Sequence, residues 1–320
     1  MAIHRTLATC LVACAALLAT ACSTPAPPPT LAQVGIYAAG SGSVFLPYAQ
    51  GIASHLTAAG LKAAPVETTG SVENARRINA DPQGMALVLM STAHEAYTGQ
   101  AAWTQGVKHD NLRALFPMYE AAYQAVALRS SGITNMSSLR GKRVGVGPSG
   151  GPSEVYFKGF AAAVGLDFVP INGTPAELAA SVIAGRIDAM FQGGAIPVPG
   201  IKTVADAADA VVFGFSGDEV AAVRRVFPYL GESAVPPGTY KGQATALRSV
   251  SAWNFALVHK DFPEADAYWI TRTVLSVADP TALHALAGPT RAANAVHNTS
   301  VPFHPGALKY YQQQGVAGLK

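Results

Sequence analysis

Three glycine- and serine-rich stretches stand where a strand-like run gives way to a helical pattern. They are Gly40-Ser41-Gly42-Ser43, Gly70-Ser71 with Asn74 three residues on, and the segment 147–153, which reads G-P-S-G-G-P-S. Glycine allows the chain to turn tightly, and serine is a preferred residue at a helix start. The free N–H groups of a helix start attract anions. The pattern therefore predicts binding of a small, negatively charged molecule.

Each of these stretches must be positioned by a strand before it and a helix after it. Strand-like runs cover 34–39, 61–68 and 143–146, and helical spacing follows from about 46, 72 and 154. Parallel strands with intervening helices place their carboxyl ends at one edge of a sheet. We therefore expect an α/β fold in which the three junctions share one cleft.

Two more segments are predicted to reach this cleft. The fully apolar run 85–90 is typical of a central parallel strand, and we expect the residues 91–94 after it to form a cleft loop. The segment 185–191 is predicted as a strand that ends in Gln192-Gly193-Gly194. The predicted ligand-binding residues are Gly40, Ser41, Gly42, Ser43, Tyr48, Gly70, Ser71, Asn74, Ser91, Thr92, Ser149, Gly150, Gly151, Ser153, Gln192 and Gly193.

An enzymatic alternative rests on Ser149. Gly147-x-Ser149-x-Gly151 between a strand and a helix matches the pattern of a hydrolase nucleophile, and His259, His284, His297 and His304 follow downstream. Such a pentapeptide is common by chance, and a hydrolase offers no account of the junctions at Gly40 and Gly70. We predict no catalytic residue and keep an esterase-like hydrolase as an alternative.

Composition excludes several other functions. The chain has 320 residues, 50% of them hydrophobic, with a formal net charge of +3 and no basic stripe, which argues against nucleic-acid binding. Its cysteines are Cys10, Cys14 and Cys22, so residues 23–320 have no thiol for disulfides, metal ligation or catalysis. Gly40-Ser41-Gly42 is followed by Phe45 where a dinucleotide fingerprint has glycine, so we predict neither a cofactor nor a metal.

The N-terminal residues 1–22 have the pattern of a signal peptide. Arg5 precedes an apolar run over 7–18, which is too short to span a bilayer, and Ala19-Thr20-Ala21 is a small-residue cleavage site. Cys22 follows directly, and the segment resembles a bacterial lipoprotein signal except that Ala19 replaces a larger aliphatic residue. We predict lipidation at Cys22, with ordinary cleavage as the alternative, followed by a proline-rich tether over 23–33.

The remaining chain is predicted to form two lobes joined by two crossing segments. Ser130-Ser131-Gly132 is the expected first crossing, and the apolar run 245–259 is the return. Residues 31–129 plus 250–320 would form lobe 1, and residues 130–249 would form lobe 2.

A series of short landmarks points to a known family. In order they are the segments 70–74 (G-S-V-E-N), 139–144 (L-R-G-K-R-V), 185–189 (G-R-I-D-A), 237–240 (P-G-T-Y) and 304–311, which begins H-P-G-A. The chain resembles the TAXI-type substrate-binding proteins of tripartite ATP-independent periplasmic (TRAP) transporters. The resemblance implies a type II periplasmic binding-protein fold, a ligand such as a glutamate-like amino acid or a dicarboxylate, and multi-span permease subunits as partners.

The cleft loops depart from that family. The first reads G-S-G-S-V-F-L-P-Y where paired tyrosines are usual, and the loop after Gly147 is not of the commoner G-x-x-G-S-G-T type. We therefore predict a periplasmic, lipid-anchored receptor for a small organic anion and leave the ligand open. A sensing subunit for a membrane signalling receptor has the same fold and is the second alternative.

Overall fold

A computed structural model describes residues 28–40 and 43–319. The strands are β1 (Gln33–Tyr37), β2 (Lys62–Val66), β3 (Met85–Leu89), β4 (Leu112–Leu128), β5 (Arg143–Gly145), β6 (Val169–Ile171), β7 (Ala189–Ala195), β8 (Ala210–Phe213), β9 (Gly231–Val235) and β10 (Leu247–His259). The α-helices are α1 (Phe45–Ala58), α2 (Ser71–Ala80), α3 (Met90–Thr98), α4 (Pro152–Ala163), α5 (Pro175–Ile183), α6 (Pro199–Ala207), α7 (Gly217–Val226), α8 (Glu264–Leu275) and α9 (Pro305–Gln313).

The described strands form one mixed sheet in the order β2-β1-β3-β10-β4-β7-β5-β6, with β8 paired to β4 and β9 to β10. Strands β1, β2 and β3 pair in parallel, as do β5, β6 and β7. The long strands β4 and β10 pair antiparallel with each other and with their other neighbours. Every residue of β3 is buried, as its apolar run predicts for a central strand.

Strands β4 and β10 pass from one hydrophobic core to another. The first core holds β4 residues between 112 and 119, β10 residues 255–258 and buried residues of α1, α2, α3, α8 and α9. Two further clusters, together called the second core, hold β4 residues between 121 and 127 with buried residues of α4, α5, α6 and α7. The change of core thus falls near residue 120 in β4 and between 252 and 255 in β10.

Two local predictions are wrong. The segment 91–94 is not a loop, because α3 begins at Met90 directly after β3. Apolar residues recur along α3 at helical spacing, with Met90, Ala93 and Ala96 buried in the first core. Strand β7 begins at Ala189 rather than at 185, and it continues one residue past the predicted end to Ala195, because residues 192–195 pair with Ala121 to Gln124 of β4.

Candidate functional site

A cavity of about 550 Å³ lies where the two cores meet. The starts of α1, α2, α4 and α6 reach it, together with one face of β4 and residues 192–195 of β7. Two smaller cavities, of about 390 and 510 Å³, lie beside residues 296–302 and between α1 and β2. Neither of these receives more than one strand-to-helix junction, so the larger cavity is the candidate site.

The described lining of this cavity contains no aspartate, glutamate, lysine, arginine or histidine. Its polar groups are hydroxyls, side-chain amides and backbone groups, and Phe45, Leu89, Tyr119 and Tyr123 supply apolar surface. A charged ligand group in this cavity must therefore be stabilised by hydrogen bonds and helix starts rather than by an ion pair.

The junction before α2 contributes Gly70 and Ser71 to the lining. Ser71 was expected to cap the helix, but the cap residue is Gly70, whose φ of 113° and ψ of −158° suit glycine alone. Ser71 is the first helical residue, and its Oγ accepts a hydrogen bond from the Leu89 N–H at 3.1 Å. Helix α2 consequently begins without a side-chain cap, and the hydroxyl proton of Ser71 is free to bond another acceptor.

Asn74 does not reach the cavity, contrary to the prediction. Its side chain is fully buried, and its Nδ2 donates to the carbonyl oxygens of Ala38 at 2.6 Å and Leu87 at 2.8 Å. Its Oδ1 accepts from Thr68 Oγ1 at 2.6 Å. Asn74 therefore ties the ends of β1 and β3 to α2. Thr68 and Thr69, which the sequence did not single out, line the cavity in its place.

The junction before α4 brings only part of its predicted set to the cavity. Ser153 and its neighbours Pro148 and Pro152 line it, whereas Ser149, Gly150 and Gly151 do not. Ser149 is exposed in a turn, and no histidine hydrogen-bonds to it in the part of the chain that the structure describes. The Gly150 N–H is already bonded within the loop, because it donates to Glu154 Oε2 at 2.6 Å.

Gln192 and Gly193 line the cavity from within β7. A Cβ on Gly193 would stand 2.4 Å from Cε1 of Tyr123 on the paired strand β4. Glycine at this position therefore lets the Tyr123 ring lie across the sheet at the cavity wall.

The other predicted residues are distributed as follows. Gly40 and Ser43 line the cavity. Tyr48 is buried in the first core, where its hydroxyl bonds to Thr290, and Ser91 and Thr92 are buried in the first turn of α3. Ser41, Gly42 and Cys22, with the signal peptide and most of the tether, lie outside the described residues.

Sequence reasoning missed three polar residues on the crossing strands, namely Tyr119 and Tyr123 of β4 and Asn254 of β10. They are 6%, 2% and 2% exposed, so nearly all of each side chain is buried. Burial raises the pKa of both tyrosines, which keeps their hydroxyls neutral. The sequence does contain a signal for the two tyrosines. Tyr119 and Tyr123 are four residues apart in one strand, so their side chains lie on the same face of the sheet.

Comparison with known proteins agrees with this architecture. The model of the NMT1-like family matches residues 36–315. The chain belongs to the NMT1-like family. A TctC solute-binding protein from Polaromonas is similar in structure, with 12% identity, a TM-score of 0.57, and coverage of 90% of this chain and 99% of that one. MatC from Rhodopseudomonas palustris with bound malate shows 13% identity, a TM-score of 0.52, and coverage of 89% and 96%.

At these identities the structural neighbours establish the fold of this NMT1-like protein. The TctC protein is a solute-binding protein by description, and the periplasmic binding protein BugD aligns comparably, with 11% identity, a TM-score of 0.51, and coverage of 88% of this chain and 93% of that one. The predicted α/β fold of a two-lobed periplasmic binding protein is therefore confirmed. The family and neighbours do not single out the TAXI type.

Several helices of the NMT1-like chain begin at the cavity without a side-chain cap. Helices α2, α3, α4 and α6 start after Gly70, Leu89, Gly151 and Val198, and none of these residues caps the helix with its side chain. Helix α1 is set apart from these four because its first N–H, that of Phe45, donates to Ser43 Oγ at 3.2 Å. Residues at all four starts line the cavity. Uncapped starts leave backbone N–H groups without an intrahelical acceptor. The arrangement can hold a carboxylate or another small anion from both cores at once.

One carboxylate joins the two cores beside the cavity. Glu95 of α3 accepts hydrogen bonds from the hydroxyls of Tyr156 at 3.0 Å and Tyr229 at 3.1 Å, and from Trp103 Nε1 at 2.8 Å. The His94 ring stacks on Tyr229 at 4.4 Å. Burial, and then the charge of Glu95, raise the pKa of Tyr156 and Tyr229, which keeps both as donors. We call these contacts the Glu95 clasp.

The described residues contain no group of three or more histidine, cysteine, aspartate or glutamate side chains placed to hold a metal ion. Among the same residues, no helix has the length and hydropathy needed to cross a membrane.

Proposed function

We propose that this NMT1-like protein is a receptor that captures a small organic anion between two lobes and delivers it to a membrane permease. The observation that carries the proposal is the meeting of four uncapped helix starts, from both cores, on a cavity without charged side chains. Neutral donors and helix starts stabilise a carboxylate, whereas they give little stabilisation to a cation.

We propose that lobe 1 is built around the first core and lobe 2 around the second, with the expected boundaries at 129/130 and 249/250 moved to near residue 120 in β4 and between 252 and 255 in β10, where the crossing strands change core. Closure would then bring the α4 and α6 starts of lobe 2 towards the α2 start of lobe 1 around the ligand. In this proposal the Glu95 clasp holds the lobes together, since its acceptor is on α3 and two of its donors are on Tyr156 and Tyr229 of lobe 2. No covalent chemistry is part of the mechanism.

Our proposals for the ligand class and for the partner transporter rest on the proteins that this chain resembles. Malate bound to MatC supports an organic acid, and we propose a dicarboxylate or a glutamate-like amino acid for this chain. The order of landmarks that resemble the TAXI type supports a TRAP permease as the partner, and a TctC-type tripartite transporter is the nearest alternative. We further propose a periplasmic location with a lipid anchor at Cys22.

Thermal unfolding of residues 23–320 in the presence of candidate ligands tests the proposal. A ligand that binds only the folded state at 100 times its dissociation constant adds about 2.7 kcal/mol to the free energy of unfolding. We expect organic acids to raise the melting temperature, with sugars and polyamines as matched negative controls. Stabilisation by sugars or amines and by no organic acid would reject the proposed function.

A further inference from the structure

Two glutamine side chains and a tyrosine meet beneath the start of α6. Gln124 of β4 and Gln192 of β7 stand directly opposite each other in an antiparallel pair, so their side chains share one face of the sheet, with Cβ atoms about 4.5–5.5 Å apart. Tyr240 packs on the same face. Its hydroxyl accepts a hydrogen bond from the N–H of Val198, the residue before α6, at 2.8 Å. We call Tyr240, Gln124 and Gln192 the α6 polar row.

The hydrogen bonding of the α6 polar row is incomplete. Both amide atoms of Gln124 and the Oε1 of Gln192 are buried and have no hydrogen-bond partner among the described residues. Burial raises the pKa of Tyr240 to about 12, and the Val198 N–H and the Gln124 amide beside the hydroxyl lower it by less, so the hydroxyl keeps its proton. Buried polar atoms in folded proteins are nearly always bonded, so three such atoms in one place call for a partner.

The position of Gln192 fixes which end of its amide faces the cavity. A Cβ on Gly200, in the first turn of α6, would stand 2.4 Å from Gln192 Oε1. The N–H groups of Gly200 and Ile201 have no acceptor in the part of the chain that the structure describes, so this helix start attracts an oxygen and repels an NH₂ group. Gln192 is only partly buried and lines the cavity, and Nε2 is therefore the end that it presents there.

One set of hydrogen bonds would satisfy all of these atoms. In this set the Tyr240 hydroxyl donates to Gln124 Oε1, Gln124 Nε2 donates to Gln192 Oε1, and Gln192 Nε2 donates to a group in the cavity. Each bond runs from donor to acceptor in the same direction, so the bonds polarise and strengthen one another. The last donor requires an acceptor, and a carboxylate oxygen is the strongest of the common ones.

We propose that ligand binding completes the α6 polar row, with Gln192 donating to an acceptor oxygen of the ligand and with Gln124 and Tyr240 as positioning residues behind it. The proposal rests on the proposed function and names the side chain of β7 that recognises the anion. It also gives a role to the landmark 237–240. Gln243 holds the turn that carries Tyr240, since its Oε1 accepts from the Tyr240 N–H at 3.2 Å and its Nε2 donates to the Thr245 carbonyl oxygen at 2.7 Å.

Calorimetry on residues 23–320, with malate, succinate, adipate and glutamate as probes, tests the proposal. Gln192→Met keeps the length of the side chain and removes the donor. The affinity for the acid that binds the parent best should therefore fall about tenfold to hundredfold, the range for a hydrogen bond to a charged group. Gln124→Met should lower it about twofold to tenfold. The melting temperature of the ligand-free protein should not fall in Gln124→Met, because this amide has no bonded partner to lose.

A positioning role has a signature that damage to the core lacks. If Gln124 and Tyr240 act through Gln192, Gln124→Met and Tyr240→Phe should each weaken binding in the parent and have no further effect when Gln192→Met is already present. Tyr240→Phe removes one atom, so the test stays decisive if Gln124→Met does not fold. Gln50 is exposed on α1, and Gln50→Met is the matched control that should change neither affinity nor stability.

Two outcomes would overturn the inference and leave the proposed function standing. One is an unchanged affinity of Gln192→Met. The other is a loss from Gln124→Met and Tyr240→Phe that is the same with and without Gln192. If the parent binds none of the four acids and no acid in a wider panel, the inference and the proposed function are both overturned.

Discussion

Helix starts at the cavity and helix starts away from it satisfy their N–H groups in different ways. Away from the cavity, Ser216 caps α7 by accepting from the Glu219 N–H, and His304 caps α9 by accepting from the Gly306 N–H. At the cavity, α2, α3, α4 and α6 have no such cap. A side-chain cap takes up the donors that an anion would use. The contrast suggests that the chain caps helices for stability and leaves them open for a ligand.

Two helices depart from this division. Helix α5 reaches the cavity with Pro175 but is capped by Thr174, which accepts from the Glu177 N–H. Helix α8 begins at Pro263 without a side-chain cap, although it does not line the cavity. The proposed anion contacts therefore exclude α5, and a missing cap is informative only where the helix start also lines the cavity.

We expect the largest loss of ligand affinity when a carboxylate is placed at a helix start that lines the cavity. Ser153→Asp places a carboxylate at the start of α4, where it suits the helix dipole and stabilises the fold by about 0.3–1 kcal/mol. The same charge repels an anionic ligand at a cost of several kcal/mol, so affinity should fall more than about hundredfold. Calorimetry and thermal unfolding measure the two effects. The neutral Ser153→Asn is the matched control, and equal losses from both variants would contradict the charge argument.

Asn74→Ala should lower the stability of the protein more than its affinity for the ligand. Asn74 lies in the first turn of α2 but faces the core, where its amide bonds Ala38 and Leu87. Its removal deletes both of these buried hydrogen bonds, with the Ala38 oxygen keeping a second donor in Thr68 Oγ1 at 3.0 Å, and should lower the free energy of unfolding by about 2–3 kcal/mol. Chemical denaturation gives this value. A variant of unchanged stability with a large affinity loss would place Asn74 at the ligand after all.

Loss of the Glu95 clasp should weaken binding although Glu95 does not line the cavity. Glu95→Ala removes hydrogen bonds from Tyr156 and Tyr229 that hold the cores together. If these bonds favour the closed arrangement, affinity should fall by about tenfold, since the apparent affinity scales with the population of the binding-competent state. Glu219→Ala, which removes the exposed bond from the Ser216 N–H at the start of α7, is the control for calorimetry. Equal affinities of the two variants would show that the clasp does not act on closure.

Removal of a helix cap away from the cavity should lower stability and leave ligand affinity unchanged. Ser216→Ala deletes the cap of α7 and should cost about 1 kcal/mol of stability with no change in affinity. Ser153→Ala deletes a serine that caps nothing and should cost less. Unfolding midpoints in denaturant compare the two. A larger loss for Ser153→Ala would break the distinction between capped and open helix starts.

The smallest effect is expected at Ser149. Its side chain is exposed and does not line the cavity, so Ser149→Ala should change neither stability nor affinity by more than about 0.5 kcal/mol. An esterase assay on the parent should show no turnover. Turnover that disappears in Ser149→Ala would restore the hydrolase alternative.

The sequence predicts the parts of the site that depend on local backbone chemistry. Gly40, Gly70 and Ser153 stand at strand-to-helix junctions whose glycine, serine and proline residues act within a few positions, and all three line the cavity. The apolar run of β3 likewise identifies a buried strand without knowledge of its neighbours. Such signals need no information about which distant segments meet.

The remaining site depends on contacts between distant segments. Asn74 fits both a capping role and a core role, and only the positions of Ala38 and Leu87 decide between them. Tyr119 and Asn254 look like ordinary strand residues until β4 and β10 pair and carry them between the two cores. Polar residues in crossing strands are thus the part of this cavity that sequence reading overlooks.

The central claim is that the open helix starts bind an organic acid. Mass spectrometry of the small molecules released on denaturing residues 23–320, purified from the periplasm, tests it most directly. We predict one dominant species that carries at least one carboxylate and is small enough for a cavity of about 550 Å³. Release of a sugar, an amine or a nucleotide in stoichiometric amount would contradict the account.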